Sequence, residues 1–279
     1  MTSLRRFVIL VLLTIGAAAP QAQNLRIVSF NIRYNPYYQT DGDNCWDNRR
    51  DAVVRMIDSE RPAAIGLQEA LLDQLEYLDR HLTGYRRVGV GRDDGRDAGE
   101  FMAIYYDVSR LDLVSATTRW LSDTPCRPSL GWDAACRRTM TAARFRDRKS
   151  GKEFVYVNTH LDHVGQTARA ESARLIASLI EANVADGAPV IVGGDMNSTA
   201  SDTIFNSFYR IGLQDARLLP RRTSHGITYN AFGNDRGAVI DHFFVRGLKV
   251  RRFRTLNGNY GVPYVSDHYP IEITIRLDR

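Results

Sequence analysis

The sequence predicts one α/β domain in which two mixed β-sheets pack together with helices outside. Three observations carry this. Short apolar runs rich in β-branched and aromatic residues recur along the chain. Helical patterns lie between some of them in each half, and no linker or internal repeat breaks the series. The 279 residues, 44% of them apolar, also suffice to bury a large core.

The elements follow in order. Arg5 and Arg6 precede the apolar run Phe7 to Ile15, and small residues follow in "GAAAPQAQ". Charge, apolar stretch and small-residue exit predict a secretory signal peptide over 1–23, with the domain over 24–279. The expected destination is the periplasm or the medium. The apolar run is short for a membrane span and no lipidation cysteine follows, so a monomer without stable membrane insertion is expected. Strand-like runs then appear at 25–31 ("LRIVSFN"), 63–69, 101–106, 153–160, 189–195 ("PVIVGGD"), 239–245 and 269–277. Helical spacing marks Asn48 to Ser59, Leu71 to Leu82 and Gln166 to Asn183. "SATTRWL" and "TAARFRD" read as further strands joined by a long loop. That loop holds Cys126 and Cys136, placed to form a disulfide across "CRPSLGWDAAC" in an oxidising compartment and leaving Cys45 single.

Losing Arg5 and Arg6 lowers the formal charge from +5 to +3. A mildly basic chain suits an anionic substrate. Without a dense Lys/Arg block, nucleic acid is admitted as a partner but not indicated.

Many apolar runs stop at a polar group. The set is Asn31, Glu69, His160, Asp162, Asp195, Asn197, Asp241, His242, Asp267 and His268. Oxygen-rich donors with a few imidazoles and no thiol favour Mg²⁺ or Mn²⁺ over structural zinc. Strand ends of this kind form ligand crevices in α/β sheets, and imidazoles beside carboxylates suit proton transfer. Each residue also has a plainer reading. Glu69 fits the start of the helix at Leu71, Asp195 and Asn197 fit an Asx turn, and Asp241 and Asp267 fit buried partners of arginines. His81, His163 and His225 follow no apolar strand and read as ordinary structural or surface histidines. The joint occurrence at strand exits favours a site.

In order, "SFNIRY", "GLQE", "NTHLDH", "GGDMNS", "IDHFFV" and "SDHYPI" resemble the endonuclease/exonuclease/phosphatase superfamily, from about Leu25 to Leu277. "NIRYN…DGDNCWDNRR" and "GRDDG…GEF" look like an exported bacterial subgroup of it. The resemblance implies a four-layer α/β sandwich. It also implies Glu69 as principal metal ligand with Asn31 and Asp267 beside the metal. Asp195 would orient or deprotonate the attacking water, Asn197 would contact the phosphate, and Asp241 would hold the imidazole of His268. His160 matches a second histidine found in the deoxyribonuclease and sphingomyelinase branches. His242 stands where relatives often carry Tyr, and the basic insertions with which deoxyribonucleases grip a duplex are not evident.

The expectation is therefore a Mg²⁺-dependent phosphoesterase acting by in-line attack of water on a phosphate mono- or diester. The two glycines before Asp195 would let backbone pass close to a phosphate. Among the arginines, Arg49 or Arg50 and Arg137 or Arg138 are candidate substrate contacts, each with a solvated surface reading beside it. Arg138 and Asp162 are carried forward as substrate-binding residues. The rivals are a nuclease, a non-catalytic binding module on the same fold, and a glycoside hydrolase; the last leaves Asn31, Asn197 and two histidines without a use.

Overall fold

The period-two alternation of each strand sends successive side chains to opposite faces, and this sets the layers. In β1 (Asn24–Asn31) Leu25 and Ile27 point one way, while Val28 and Phe30 point the other. A computed structural model describes residues 24–35, 41–185, 187–224 and 226–277. The expected signal peptide and His225 lie outside the described residues.

The first sheet combines β1 with β2 (Ala64–Gln68), β3 (Tyr85–Val88), β4 (Ile104–Asp107), β11 (Lys249–Thr255) and β12 (Ile271–Arg276), in the order β11-β12-β1-β2-β4-β3. The second contains β5 (Leu111–Trp120), β6 (Thr139–Asp147), β7 (Glu153–His160), β8 (Val190–Asp195), β9 (Gln214–Asp215) and β10 (Asp241–Arg246), in the order β5-β6-β7-β8-β10-β9. Leu25, Ile27, Phe145, Tyr156, Ile191, Phe243 and Ile273 fill the space between the sheets. The outer face of the first sheet packs on α1 (Trp46–Glu60) and α2 (Leu72–His81). That of the second packs on α3 (Gln166–Asn183) and α4 (Asn206–Arg210). The result is a four-layer α/β sandwich.

Both sheets are mixed in the same way. β1 and β2 run parallel and are joined through α1; β7 and β8 run parallel and are joined through α3. The other pairings are antiparallel. The carboxyl ends of the two central parallel pairs open on one cleft, which gathers the strand-end residues.

Directly beneath it, polar side chains bolt the sheets together. Asn158 donates to the Leu67 and Ala103 carbonyls at 2.8 and 2.9 Å. Gln68 donates to Ser29 Oγ and to Asn158 Oδ1, and the Tyr156 hydroxyl donates to the Val28 carbonyl. These side chains are buried, and the Asn158 and Tyr156 donors are satisfied by acceptors across the seam, as burial requires.

Two expectations change here. A Cβ on Gly193 would lie 2.4 Å from Phe243 Cε1, and one on Gly194 only 1.9 Å from the Thr159 carbonyl oxygen. These glycines make room for strand packing, not for a phosphate. Cys45, Cys126 and Cys136 are free thiols, so the expected Cys126–Cys136 disulfide is absent. Instead the Cys136 thiol points to Asp162 Oδ2 at 3.8 Å. Among the described residues no helix is long and apolar enough to cross a membrane.

Candidate active site

The cleft has a volume of about 700 Å³, and Glu69, Asp195, Asn197, Asp267, His160 and His268 line it. Asn31 sits at its base, fully buried at the end of β1. Its Nδ2 donates to Glu69 Oε1 at 2.9 Å and to Asp195 Oδ2 at 3.0 Å. One carboxamide thus joins the carboxylate of the first sheet to that of the second. Glu69 also accepts from the Tyr34 amide, which directs it into the cleft and away from α2.

Asp195 forms the Asx turn and also faces the cleft. Oδ1 accepts the Asn197 amide at 2.9 Å in an Asx turn, while Oδ2 faces Asn31 and the two histidines. Asn197 donates from Nδ2 to the Leu161 carbonyl and lies 3.0 Å from His160 Nε2. Three of the seven non-glycine residues with positive φ among the described residues, Arg33, Glu69 and Asn197, line this cleft. Such backbone costs on the order of 1–3 kcal/mol per residue and gathers where side-chain aim matters.

Antiparallel pairing sets Asp241 opposite Asp195, and Asp241 Oδ2 lies 2.8 Å from His268 Nδ1. The next residue of β10, His242, points to the other face. Its Nε2 lies 2.9 Å from the Ser198 carbonyl oxygen and its ring packs near Phe205, outside the cleft.

The electrostatics divide the two cleft histidines. Burial opposes charge on His268, but Asp241 and Asp195 outweigh it and hold this histidine up at about 10. His160 has burial and then Arg138 and Arg92 against its charge, so it stays neutral. Burial, opposed by His268, pushes Asp195 up to about 7. Asp267 is raised by burial and by Glu69, with His268 and Arg33 pulling the other way.

These features fit a hard divalent cation. Glu69, His160 and Asp195 each offer a ligand atom within 4.8 Å of the others, and Glu69 raises the cost of ionising Asp267 across the same space. Carboxylate oxygens predominate in that donor set.

The match to the Endonuclease/Exonuclease/phosphatase family model runs over residues 28–268. The chain belongs to the Endonuclease/Exonuclease/phosphatase family. A family member of known structure from Bacteroides vulgatus is 33% identical, with a TM-score of 0.86 over 92% of this chain and 100% of its own. A mannosyl-6-phosphatase from Bacteroides thetaiotaomicron is also 33% identical, with a TM-score of 0.84 over 90% of this chain and 99% of its own. An uncharacterised protein of Acanthamoeba polyphaga mimivirus is 27% identical over 181 residues, which cover 62% of this chain and 67% of the viral one.

Within the family cleft, Arg138 reaches the wall as expected, 4% exposed and lining the space. Asp162 does not. It is fully buried behind the wall, where Oδ1 accepts the amides of Ala135, Val164 and Gly165 and Oδ2 accepts from Arg138 Nε at 3.2 Å. It positions Arg138 and has no surface to offer a substrate. Arg49 is also neither a substrate contact nor solvated. It is buried, donating to the carbonyls of Ile32, Asn44 and Val265, and so ties α1 to two cleft loops. Arg137 stays outside, paired with Asp93.

Arg33, Tyr34, Arg92, Glu100, Cys136, His163, Tyr229 and Ile240 were not anticipated in the cleft. His163, read as ordinary from sequence, lies 2.9 Å from Arg138 through Nδ1. Burial opposes the charge on Arg33, but Asp41 and Asp267 outweigh it and keep the guanidinium charged. "SFNIRY" and "GRDDG…GEF" carry four of these residues, yet neither loop has a periodicity that reveals side-chain direction.

Proposed function

We propose that the protein is an exported, divalent-cation-dependent phosphatase that hydrolyses a phosphate monoester of a sugar. One observation carries the reaction class. Carboxylates from both sheets, Glu69, Asp195 and Asp267, meet a charged His268 on one cleft floor, beneath the arginines of its wall. Similarity to a mannosyl-6-phosphatase along nearly the whole chain favours a sugar monoester. The charge, apolar and small-residue order of the N-terminus favours export.

Glu69, with Asn31 and Asp267, would hold Mg²⁺ or Mn²⁺. When bound, such an ion polarises the phosphoryl oxygens and offsets charge on the leaving oxygen. The rest falls to the chain itself. Asp195, anchored by Asn31 and by the Asn197 amide, aligns a water for in-line attack and takes its proton. His268, held charged and oriented by Asp241, donates from Nε2 to a phosphoryl oxygen. Neutral His160 and Asn197 complete the polar wall, and Arg33 and Arg138 face the dianionic end of the substrate.

The test is phosphate release with Mg²⁺ from hexose 6-phosphate, p-nitrophenyl phosphate, bis(p-nitrophenyl) phosphate and single-stranded DNA. Monoester turnover that EDTA abolishes is expected. Glu69→Gln should lose about a thousandfold in activity and most of its Mg²⁺ affinity while keeping its circular dichroism spectrum. Cleavage of diester or DNA with the monoesters untouched would overturn the monoester reading.

A further inference from the structure

Glu100 places a carboxylate in the wall of a cleft built for an anion. It is not among the described groups whose ligand atoms come together on the floor. Instead it forms an ion pair with Arg92, from Nη1 to Oε2 at 2.6 Å, with the two side chains 13% and 14% exposed. A phosphate would be repelled by it, so its use must lie with another part of the substrate.

The pair is rigidly mounted. Arg92 donates its amide to the Glu100 carbonyl, Asp93 to Ala98, and Gly91 to Arg96, all within one loop. Phe101 then donates to Ala70, and the Trp120 indole donates to the Arg92 carbonyl at 2.7 Å. A Cβ on Gly91 would come within 2.3 Å of the Ala98 oxygen, so the loop closes tightly upon itself. Such mounting is expected of a recognition element and is unneeded for a solvated surface pair.

One atom of the pair remains free to recognise something. Glu100 Oε1 accepts no hydrogen bond among the described residues, since Arg92 uses Oε2. The aromatic rings of Tyr34 and Tyr229 line the same cleft. An acceptor and aromatic faces around one space suit a molecule bearing hydroxyl groups on an apolar ring.

We infer that Arg92 and Glu100 form a leaving-group subsite for a polyhydroxylated alcohol, with Glu100 accepting from hydroxyls and Arg92 holding that carboxylate in place. This rests on the sugar-monoester reading above and extends it to the residues that choose the sugar. The same carboxylate works against any polyanion whose further phosphates would lie along this wall.

The experiment compares kcat/KM for hexose 6-phosphate with that for p-nitrophenyl phosphate, which has no hydroxyls to recognise. In Glu100→Ala the ratio of the two should fall at least about tenfold, chiefly through KM for the hexose ester. Glu100→Gln, which keeps a hydrogen bond to Arg92, should show a smaller fall and guards against misfolding of the alanine variant. A ratio unchanged within about twofold in both variants overturns the inference. A second arm needs no turnover. In an Asp195→Asn background, calorimetric titration should show hexose 6-phosphate binding at least about tenfold tighter than inorganic phosphate, an advantage lost in Glu100→Ala. Equal affinities for the two ligands overturn the subsite whatever the activity. A retained hexose preference without hydrolysis by the unmutated protein would sink the catalytic reading and leave the subsite standing.

Discussion

His268 Nδ1 lies 2.8 Å from Asp241 Oδ2, and its other ring nitrogen faces Asp195 Oδ2 at 3.6 Å. His160 Nε2 approaches the same Asp195 oxygen at 3.5 Å. One carboxylate therefore stands between two imidazoles of different charge. The difference comes from Asp241, which backs His268 and has no counterpart behind His160, whose Nδ1 is buried without a partner. A charged donor and a neutral polar group beside a proton acceptor form a workable set for phosphoryl transfer.

The first prediction is a pH profile. If charged His268 is the active form, activity declines as pH rises through about 10, and Asp241→Asn moves that limb to lower pH. His268→Ala should lose on the order of 3 kcal/mol of transition-state stabilisation, and adding Asp241→Asn should cost little more. Stability carries the same sign. A histidine raised from 6.5 to about 10 contributes fully below 6.5 and loses its contribution as pH climbs through 10. Thermal melts over that window should show a decline that is shallower in Asp241→Asn. Additive activity losses in the double variant would separate the two residues.

The second concerns Asp162. Burial opposes its ionised form, but the Gly165, Val164 and Ala135 amides and Arg138 outweigh this and hold it well below the usual carboxylate range. Its contribution is present above pH 3.8 and fades as pH falls below that. Asp162→Ala strands Arg138 and should cost about 3–5 kcal/mol in denaturant unfolding. Asp162→Asn keeps the shape and should cost less. A near-neutral alanine variant with a raised KM alone would restore Asp162 as a direct substrate contact.

The third separates two uses of a glycine. Gly194→Ala drives a methyl group into the Thr159 carbonyl, so the protein should lose several degrees of melting temperature with no substrate present. Unchanged melting with weakened phosphate binding would instead return Gly194 to the phosphate.

Much of this was legible in the sequence because buried strands advertise themselves. β7 was read at its true bounds, as was α3, and most of the polar residues at strand exits converge, Asp162 and His242 excepted. What escaped has physical causes. β3, β9 and β11 went unread, and all three are edge strands. Two of them, "YRRV" and "KVRRFRT", carry the charges that keep an edge from pairing with a stranger and so lack a clean apolar alternation. Arg92, Glu100 and His163 lie on loops, where hydrogen bonding and not periodicity decides direction. Asp162 was visible as a polar residue after a strand, but whether it faced the cleft or the three amides behind it depends on a loop more than twenty positions earlier in the chain.

The order of strands has a last consequence for how the molecule is made. β12 lies between β11 and β1, so the opening strand of the domain takes its antiparallel neighbour from the closing one. The second sheet is encoded wholly within that interval, from β5 to β10. During synthesis β1 must therefore wait, lacking one of its two central neighbours, until residues 271–276 have emerged. Contacts so distant along the chain form slowly. Under the export proposed above, such a delay would keep the chain threadable until its last residues are through.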